Sequence, residues 1–179
     1  MSVISTRRLT LRPFERPDAE AVFSGWASDE RAARYCRWYP HEDISVTHEL
    51  LDMYIGQAEE GFDYRWSIVL CGTGELIGCI DVVKMSEDRK TAEIGYVLSP
   101  SHWCNGYATE ALKTVIRILF RCGFTKITAR HHIDNPASGR VMEKCGMHFT
   151  GTSTTQEKIG SDKLCEVKCY EITEGSFGR

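Results

Sequence analysis

Apolar residues recur along this chain with two different periods, and the switches between them mark out its elements. From Thr6 to Phe14 leucine alternates with arginine and threonine, which predicts a half-exposed strand stopped by Pro13 and Pro17. Asp18 then opens a short helix with Ala21, Val22 and Trp26 on its apolar side. The aromatic stretch "RYCRWYPHEDIS", Arg34 to Ser45, follows neither period. A second helix is expected from Val46 to Glu60, with Leu50, Leu51, Tyr54 and Ile55 inward and Gly61 at its end. "YRWSIVL" (Tyr64 to Leu70) turns through "CGTG" into "ELIGCIDVVKM" (Glu75 to Met85), a hairpin signal. "TAEIGYVLS" (Thr91 to Ser99) reads as the next strand.

From Gly106 to Cys122 the period is helical, with Ala108, Ala111, Leu112, Val115, Leu119 and Cys122 on one face and Gly123 as the stop. "KITARHHI" (Lys126 to Ile133) returns to strand. Asn135 caps a further helix, with Pro136 in its first position, Cys145 its last residue and Gly146 after it. Two strands, near Met147 to Lys158 and Lys163 to Ile172, close the pattern, and Gly175 to Arg179 is expected to fray.

The resulting order is β-α-α-β-β-β-α-β-α-β-β. It predicts an α/β (α+β) fold: a mixed, mostly antiparallel sheet of about seven strands with four helices and one parallel β-α-β crossover. That crossover makes Thr91–Ser99 and Lys126–Ile133 parallel neighbours. No repeat or linker-like tract interrupts the 179 residues, so a single domain, 1–179, is expected. A net charge of −3 gives no electrostatic footprint for nucleic acid. No apolar run approaches the roughly 20 residues that span a bilayer, and the N-terminus lacks a signal-peptide core. A cytoplasmic protein with no membrane or nucleic-acid partner is expected. Eight cysteines are present, none in a C-x-x-C pair. They read mostly as buried small hydrophobes, without disulfides or a metal.

The run "WCNGYATEAL", Trp103 to Leu112, is where chemistry enters. Strand, glycine-containing loop and helix together offer free backbone N–H groups to an anion, because the first amides of a helix have no internal partner. Gly106 lets a ligand approach where a Cβ would clash. Ala108 is nearly as small, and Thr109 adds a hydroxyl. The loop has no basic side chain, so backbone dipoles would carry most of the binding. A helix that merely starts with glycine fits the spacing equally well.

The runs "AEIGYVLSPSHWCNGYATEAL" and "NPASGRVMEKCGM" resemble the two central motifs of the GNAT acetyltransferase superfamily. "TRRLTLRPF" resembles the opening strand of its RimJ/RimL branch, the ribosomal-protein N-terminal acetyltransferases. The likeness runs from Thr6 to Ile172. It implies acetyl-CoA as co-substrate, with the amides of a Gln/Arg-x-x-Gly-x-Gly/Ala loop around its pyrophosphate. Gly106 and Ala108 match that pattern, Trp103 stands in place of Gln or Arg, and Cys104, Asn105, Tyr107 and Thr109 complete the cradle.

The resemblance further implies that the backbone of Val97, Leu98 and Ser99 holds the pantetheine arm, that Asn135 contacts it, and that Ser138 lies near the sulfur. Glu93 stands where several members keep a general base, although strand position alone fits a solvated or ion-paired glutamate as well. The tyrosine that many members use to protonate the thiolate falls on Met142, leaving Ser138 or, weakly, Tyr170. Asn135 is also a good N-cap by itself, and His131 and His132 point to opposite faces of a strand, so they cannot act as one pair. Gly139 inside a helix costs about 1 kcal/mol relative to alanine, which close packing against either a cofactor or a strand would explain.

The function implied is N-acetyl transfer by direct attack of a primary amine on acetyl-CoA. The acceptor is either a protein N-terminal α-amino group or a small amine, chosen by Arg37, Trp38, Tyr39 and His41. A CoA-binding module without transfer is the alternative, and a cysteine acyl carrier using Cys145 or Cys104 a third. The resemblance allows a homodimer that no sequence feature requires.

Overall fold

Leu9 and Leu11 are completely buried while Thr10 and Arg12 keep partial access to water, as the alternation in the first leucine run demands. In the computed structural model, which describes residues 3–62 and 64–178, that run forms β2 (Leu9–Arg12), preceded by a two-residue β1 (Ile4–Ser5). The other strands are β3 (Arg65–Leu70), β4 (Leu76–Met85), β5 (Thr91–Leu98), β6 (Lys126–His132), β7 (His148–Gln156) and β8 (Leu164–Thr173). Together they make an eight-stranded sheet in the order β1-β2-β3-β4-β5-β6-β8-β7. It is mostly antiparallel, and β5 with β6 is the parallel pair. The eighth strand is β1, two residues that are too few to leave a period in the sequence.

Five α-helices accompany the strands: α1 (Ala19–Val22), α2 (Glu30–Ala33), α3 (Ile44–Glu59), α4 (Tyr107–Arg121) and α5 (Pro136–Lys144). The first is shorter than the pattern predicts, because the chain widens into a π turn at Phe23–Ala27 that still buries Trp26. The unpredicted α2 exists because the Asp29 carboxylate accepts the Arg31 and Ala32 amides. Asp43 does the same for Ser45, so α3 starts two residues before the expected Val46. The C-terminus does not fray as expected. Glu174–Ser176 forms a 3-10 turn, and the Phe177 ring packs edge-on to Phe120 at 5.5 Å; Arg179 lies outside the described residues.

Backbone proximity groups the chain into two compact units, Met1–Asp81 with Tyr96–Tyr107, and Val82–Gly95 with Ala108–Arg179. The first is built on Phe14, Val22, Trp26, Leu51, Val69 and Leu76, against which Trp38, Tyr54, Cys79 and Val97 pack. In the second, α4 buries Ala111, Leu112, Val115, Ile116, Leu119 and Phe120, and β6 turns Ile127, Ala129 and His131 inward.

The cysteines depart from expectation. All eight are free thiols, yet Cys145 is the one that is fully buried. Cys71, Cys104 and Cys122 are exposed because each lies in a turn or at a helix end, where no second layer covers the chain.

Candidate active site

The loop after β5 is shaped by two residues in the left-handed region. Cys104 has φ +63° and Gly106 φ +79°. The first costs a non-glycine residue roughly 1–2 kcal/mol, so the surroundings must hold it. Trp103 helps by donating its indole N–H to the Leu98 carbonyl at 2.9 Å, which ties the loop to the end of β5. The Asn105 side chain donates to the carbonyls of Trp103 and His102. Trp103 therefore anchors the loop, whereas the Gln or Arg of the usual pattern would offer a polar group to a ligand. Tyr107 opens α4, and the half-buried Ala108 and Thr109 follow in its first turn. The Thr109 carbonyl accepts from the Cys145 thiol at 3.5 Å.

A basic side chain does stand at this loop, and sequence reasoning missed it. Arg8 donates from Nη1 to the Asn105 carbonyl at 2.9 Å across 97 residues of sequence. Its guanidinium carbon lies 4.6 Å from the Tyr107 ring centroid. The strand alternation puts Arg8 on the polar face with Thr10 and Arg12, but nothing in the local pattern tells which loop that face meets.

Of the three residues at the end of β5 expected to offer backbone to a pantetheine arm, Val97, Leu98 and the following Ser99, two are turned to β4. The Ser99 amide donates to the Ile77 carbonyl at 2.8 Å, and the backbone of Val97 hydrogen-bonds the Cys79 thiol. Successive amides of a strand point to opposite neighbours, so the Leu98 amide faces away from β4. Val97 and Leu98 approach Gly78 so closely that a methyl group there would clash with the Val97 carbonyl oxygen.

In the second unit the parallel ladder is short. Thr91, Ala92 and Glu93 pair with Lys126, Ile127 and Thr128, and the register goes no further. β6 continues to pair with β8 as far as His132 with Val167, but Ile94 and Gly95 have no registered partner on β6. Just past the last rung, Arg130 Nε donates to the Glu93 carboxylate at 2.8 Å, with both side chains less than one-third exposed. Glu93 is thus a cross-strand ion-pair partner in this structure, whatever else it does.

The face of β6 that carries α5 is different. Asn135 caps α5 by accepting the Ser138 amide, and Ser138 is half-buried in the first turn. His131 is buried, donates from Nδ1 to the His132 carbonyl at 2.8 Å, and has its Nε2 turned to Gly139 without a partner. Gly139 is therefore a glycine for the sake of a strand side chain: a methyl group there would stand 2.6 Å from His131 Nε2. Met142 is buried in the core. Tyr170 donates its hydroxyl to Glu143 at 3.3 Å, and burial, with Glu143 adding to it, pushes the phenol above its ordinary range. His132 lies on the opposite face from His131 and accepts the Asp134 amide. Among the described residues no three His, Cys, Asp or Glu side chains gather to hold a metal, and no helix is long and apolar enough to cross a membrane.

A family model for the acetyltransferase (GNAT) domain matches residues 8–148. The chain belongs to the GNAT acetyltransferase family. As a GNAT acetyltransferase it is 34% identical over 150 residues to the uncharacterized N-acetyltransferase YoaA of Bacillus subtilis (strain 168), covering 83% of this chain and 84% of that one. It is 35% identical over 97 residues to the ribosomal-protein-serine acetyltransferase of Escherichia coli (strain K12), 54% of each chain. Among solved structures it superposes on an acetyltransferase (GNAT family) from Bacillus anthracis with a TM-score of 0.83 at 28% identity, covering 97% of this chain and 99% of that one. The spermidine N-acetyltransferase of Vibrio cholerae, solved in complex with CoA and spermine, shares the fold with a TM-score of 0.79 at 21% identity over 96% of this chain and 98% of that one.

Proposed function

We propose that this enzyme transfers the acetyl group of acetyl-CoA directly to a primary amine, and that its acceptor is the α-amino group of a peptide or protein. The observation that carries the transfer reading is the parallel ladder that stops after three pairs. It leaves Ile94 and Gly95 of β5 without a registered partner on β6, and buried polar backbone requires a hydrogen-bond partner. An acyl-pantetheine, with its amides, supplies such a partner. The Trp103–Tyr107 turn would take the pyrophosphate, the Leu98 amide the arm, and Asn135 and Ser138 are the α5 residues for the arm and the sulfur.

Attack needs the amine to lose a proton and the thiolate to leave. Glu93, or a water next to it, would take the proton, once its hydrogen bond to Arg130 opens or is shared. Tyr170 is a poor acid here because its hydroxyl already serves Glu143. A CoA thiol titrates within about two units of neutrality on the cysteine scale, so the thiolate can leave with only a hydrogen bond from Ser138.

Two ion pairs support the α-amino choice. A polyamine wants several uncompensated carboxylates, but Glu93 is paired with Arg130, and the half-buried Asp81 with Arg65 at 3.1 Å. A single α-amino group makes no such demand. Trp38 and His41 fit a wall for a peptide less well than expected, since Trp38 packs on the core and His41 Nδ1 shares a hydrogen bond with Thr47; of the four residues, Arg37 and Tyr39 are the exposed ones. Eight free thiols suit a reducing compartment such as the cytoplasm.

Thiol release from acetyl-CoA, measured over a panel of short peptides with free N-termini and small amines and checked by product mass, tests the reading. Turnover on peptides supports it, and turnover on small amines alone replaces the acceptor. CoA binding with no transfer to any amine would make the protein a cofactor-binding module.

A further inference from the structure

Acetyl-CoA brings a diphosphate and a 3′-phosphate, yet no residue from Trp103 to Thr109 is charged. In the same unit, the nearby His102 is turned to Glu75 at 3.4 Å. We infer that Arg8 is the phosphate-binding cation of this site, brought to the loop from the turn between β1 and β2. The inference rests on the acetyl-CoA reading above and assigns the charge that the motif itself lacks.

Three features of Arg8 carry it. The first is its mounting. The Thr6 amide and hydroxyl both donate to the Leu9 carbonyl, the Leu9 amide returns to the Thr6 hydroxyl, and the Cys71 amide donates to the Arg8 carbonyl at 2.9 Å. The backbone is thus held from both sides. Arg7, next to it, points to solvent. The second is orientation. The guanidinium lies over the Tyr107 ring, and an arginine plane that stacks on one side presents its N–H groups along its edge, the geometry that suits phosphate oxygens.

The third is location. Nη1 donates to the Asn105 carbonyl, and Nη2 lies 3.5 Å from where a Cβ on Gly106 would be. The cation therefore borders the point that glycine keeps open. One residue serves two ends: its hydrogen bond holds the Asn105 peptide between the two left-handed residues, and its charge attracts what that turn receives. A charge-assisted contact to phosphate is roughly twice as strong as a neutral one.

CoA binding by calorimetry, with pantetheine as the phosphate-free probe, tests the role in Arg8→Gln and Arg8→Lys. Glutamine can still donate to the Asn105 carbonyl but carries no charge, whereas lysine keeps the charge without the fork. Arg8→Gln should weaken CoA roughly ten- to a hundredfold and leave pantetheine unchanged. Arg8→Lys should recover part of the loss, and raising the salt should weaken CoA more in the native protein than in Arg8→Gln. Equal CoA affinity in Arg8→Gln and the native protein overturns the inference. So does an equal loss for CoA and pantetheine, which would make Arg8 a support for the loop alone. If the native protein binds no CoA, the acetyl-CoA reading itself fails, a result distinct from either of these.

Discussion

Gly139 lies in the middle of α5, where an ordinary argument from helix propensity says that alanine should stabilise the protein by about 1 kcal/mol. The structure reverses the sign. A methyl group at this position would stand 2.6 Å from His131 Nε2, 3.2 Å from Cε1 and 3.3 Å from Cδ2. The ring must therefore retreat by roughly 0.8 Å to reach ordinary contact at 3.4 Å. It cannot do so freely, being buried, bonded through Nδ1 to the His132 carbonyl at 2.8 Å and packed on the Tyr170 ring at 5.5 Å. Overpacking of this kind costs about 1–3 kcal/mol, and stretching the Nδ1 hydrogen bond adds about 1 kcal/mol. Against the propensity gain, Gly139→Ala should destabilise the protein by about 1–3 kcal/mol. In a His131→Ala background the obstacle is gone, and the same change should stabilise by about 1 kcal/mol. Urea unfolding of the four proteins reads the coupling directly as a double-mutant cycle. A Gly139→Ala protein as stable as the native one, or more so, would show that His131 does not determine this position.

Other outcomes follow from the same geometry. Gly106→Val should cost roughly 1–2 kcal/mol of local strain at φ +79° and abolish CoA binding while the far-ultraviolet dichroism stays native; unchanged affinity would remove the pyrophosphate from this turn. Glu93→Gln should lower turnover more at pH 7 than at pH 9, where more of the amine is already neutral, and equal losses at both would leave Glu93 with its Arg130 pairing alone. Burial holds the His131 imidazole below its ordinary value of 6.5, so the folded protein keeps it neutral while the unfolded chain takes up a proton below that pH. Its contribution to stability is thus intact above about pH 6.5 and drains away as the pH falls toward the lower folded value. Melting temperatures of the native protein and His131→Gln, measured from pH 7.5 to 5, should converge at the acid end; parallel curves would refute it.

Much of the fold was legible because its signals are local. A period of two placed β3 through β8 within a residue or two and β2 within three, and glycine or an Asx cap marked the ends of α4 and α5. The parallel pair followed from a strand-helix-strand order that has one common hand. The Trp103–Ala108 motif was legible for the same reason, since the left-handed turn at Gly106 is written into a few consecutive residues. Where local signals were short or competed, the reading failed. Four residues of α2 carry no period, and Phe177 looked like a tail because its partner, Phe120, is 57 residues away.

The sequence by itself therefore determined most of the elements, their order and the place of the left-handed Trp103–Tyr107 turn, all properties of dihedral preference and side-chain period over a few neighbouring residues. Which side chains meet was left to the tertiary structure. The register of β5 on β6 set Arg130 against Glu93. The packing of α5 on β6 made Gly139 a matter of His131 rather than of a cofactor. The hairpin hydrogen bond at Cys71 helped to fix Arg8, whose side chain reaches a loop 97 residues away. Such pairings depend on how strands align and helices settle, and no period in the chain encodes that.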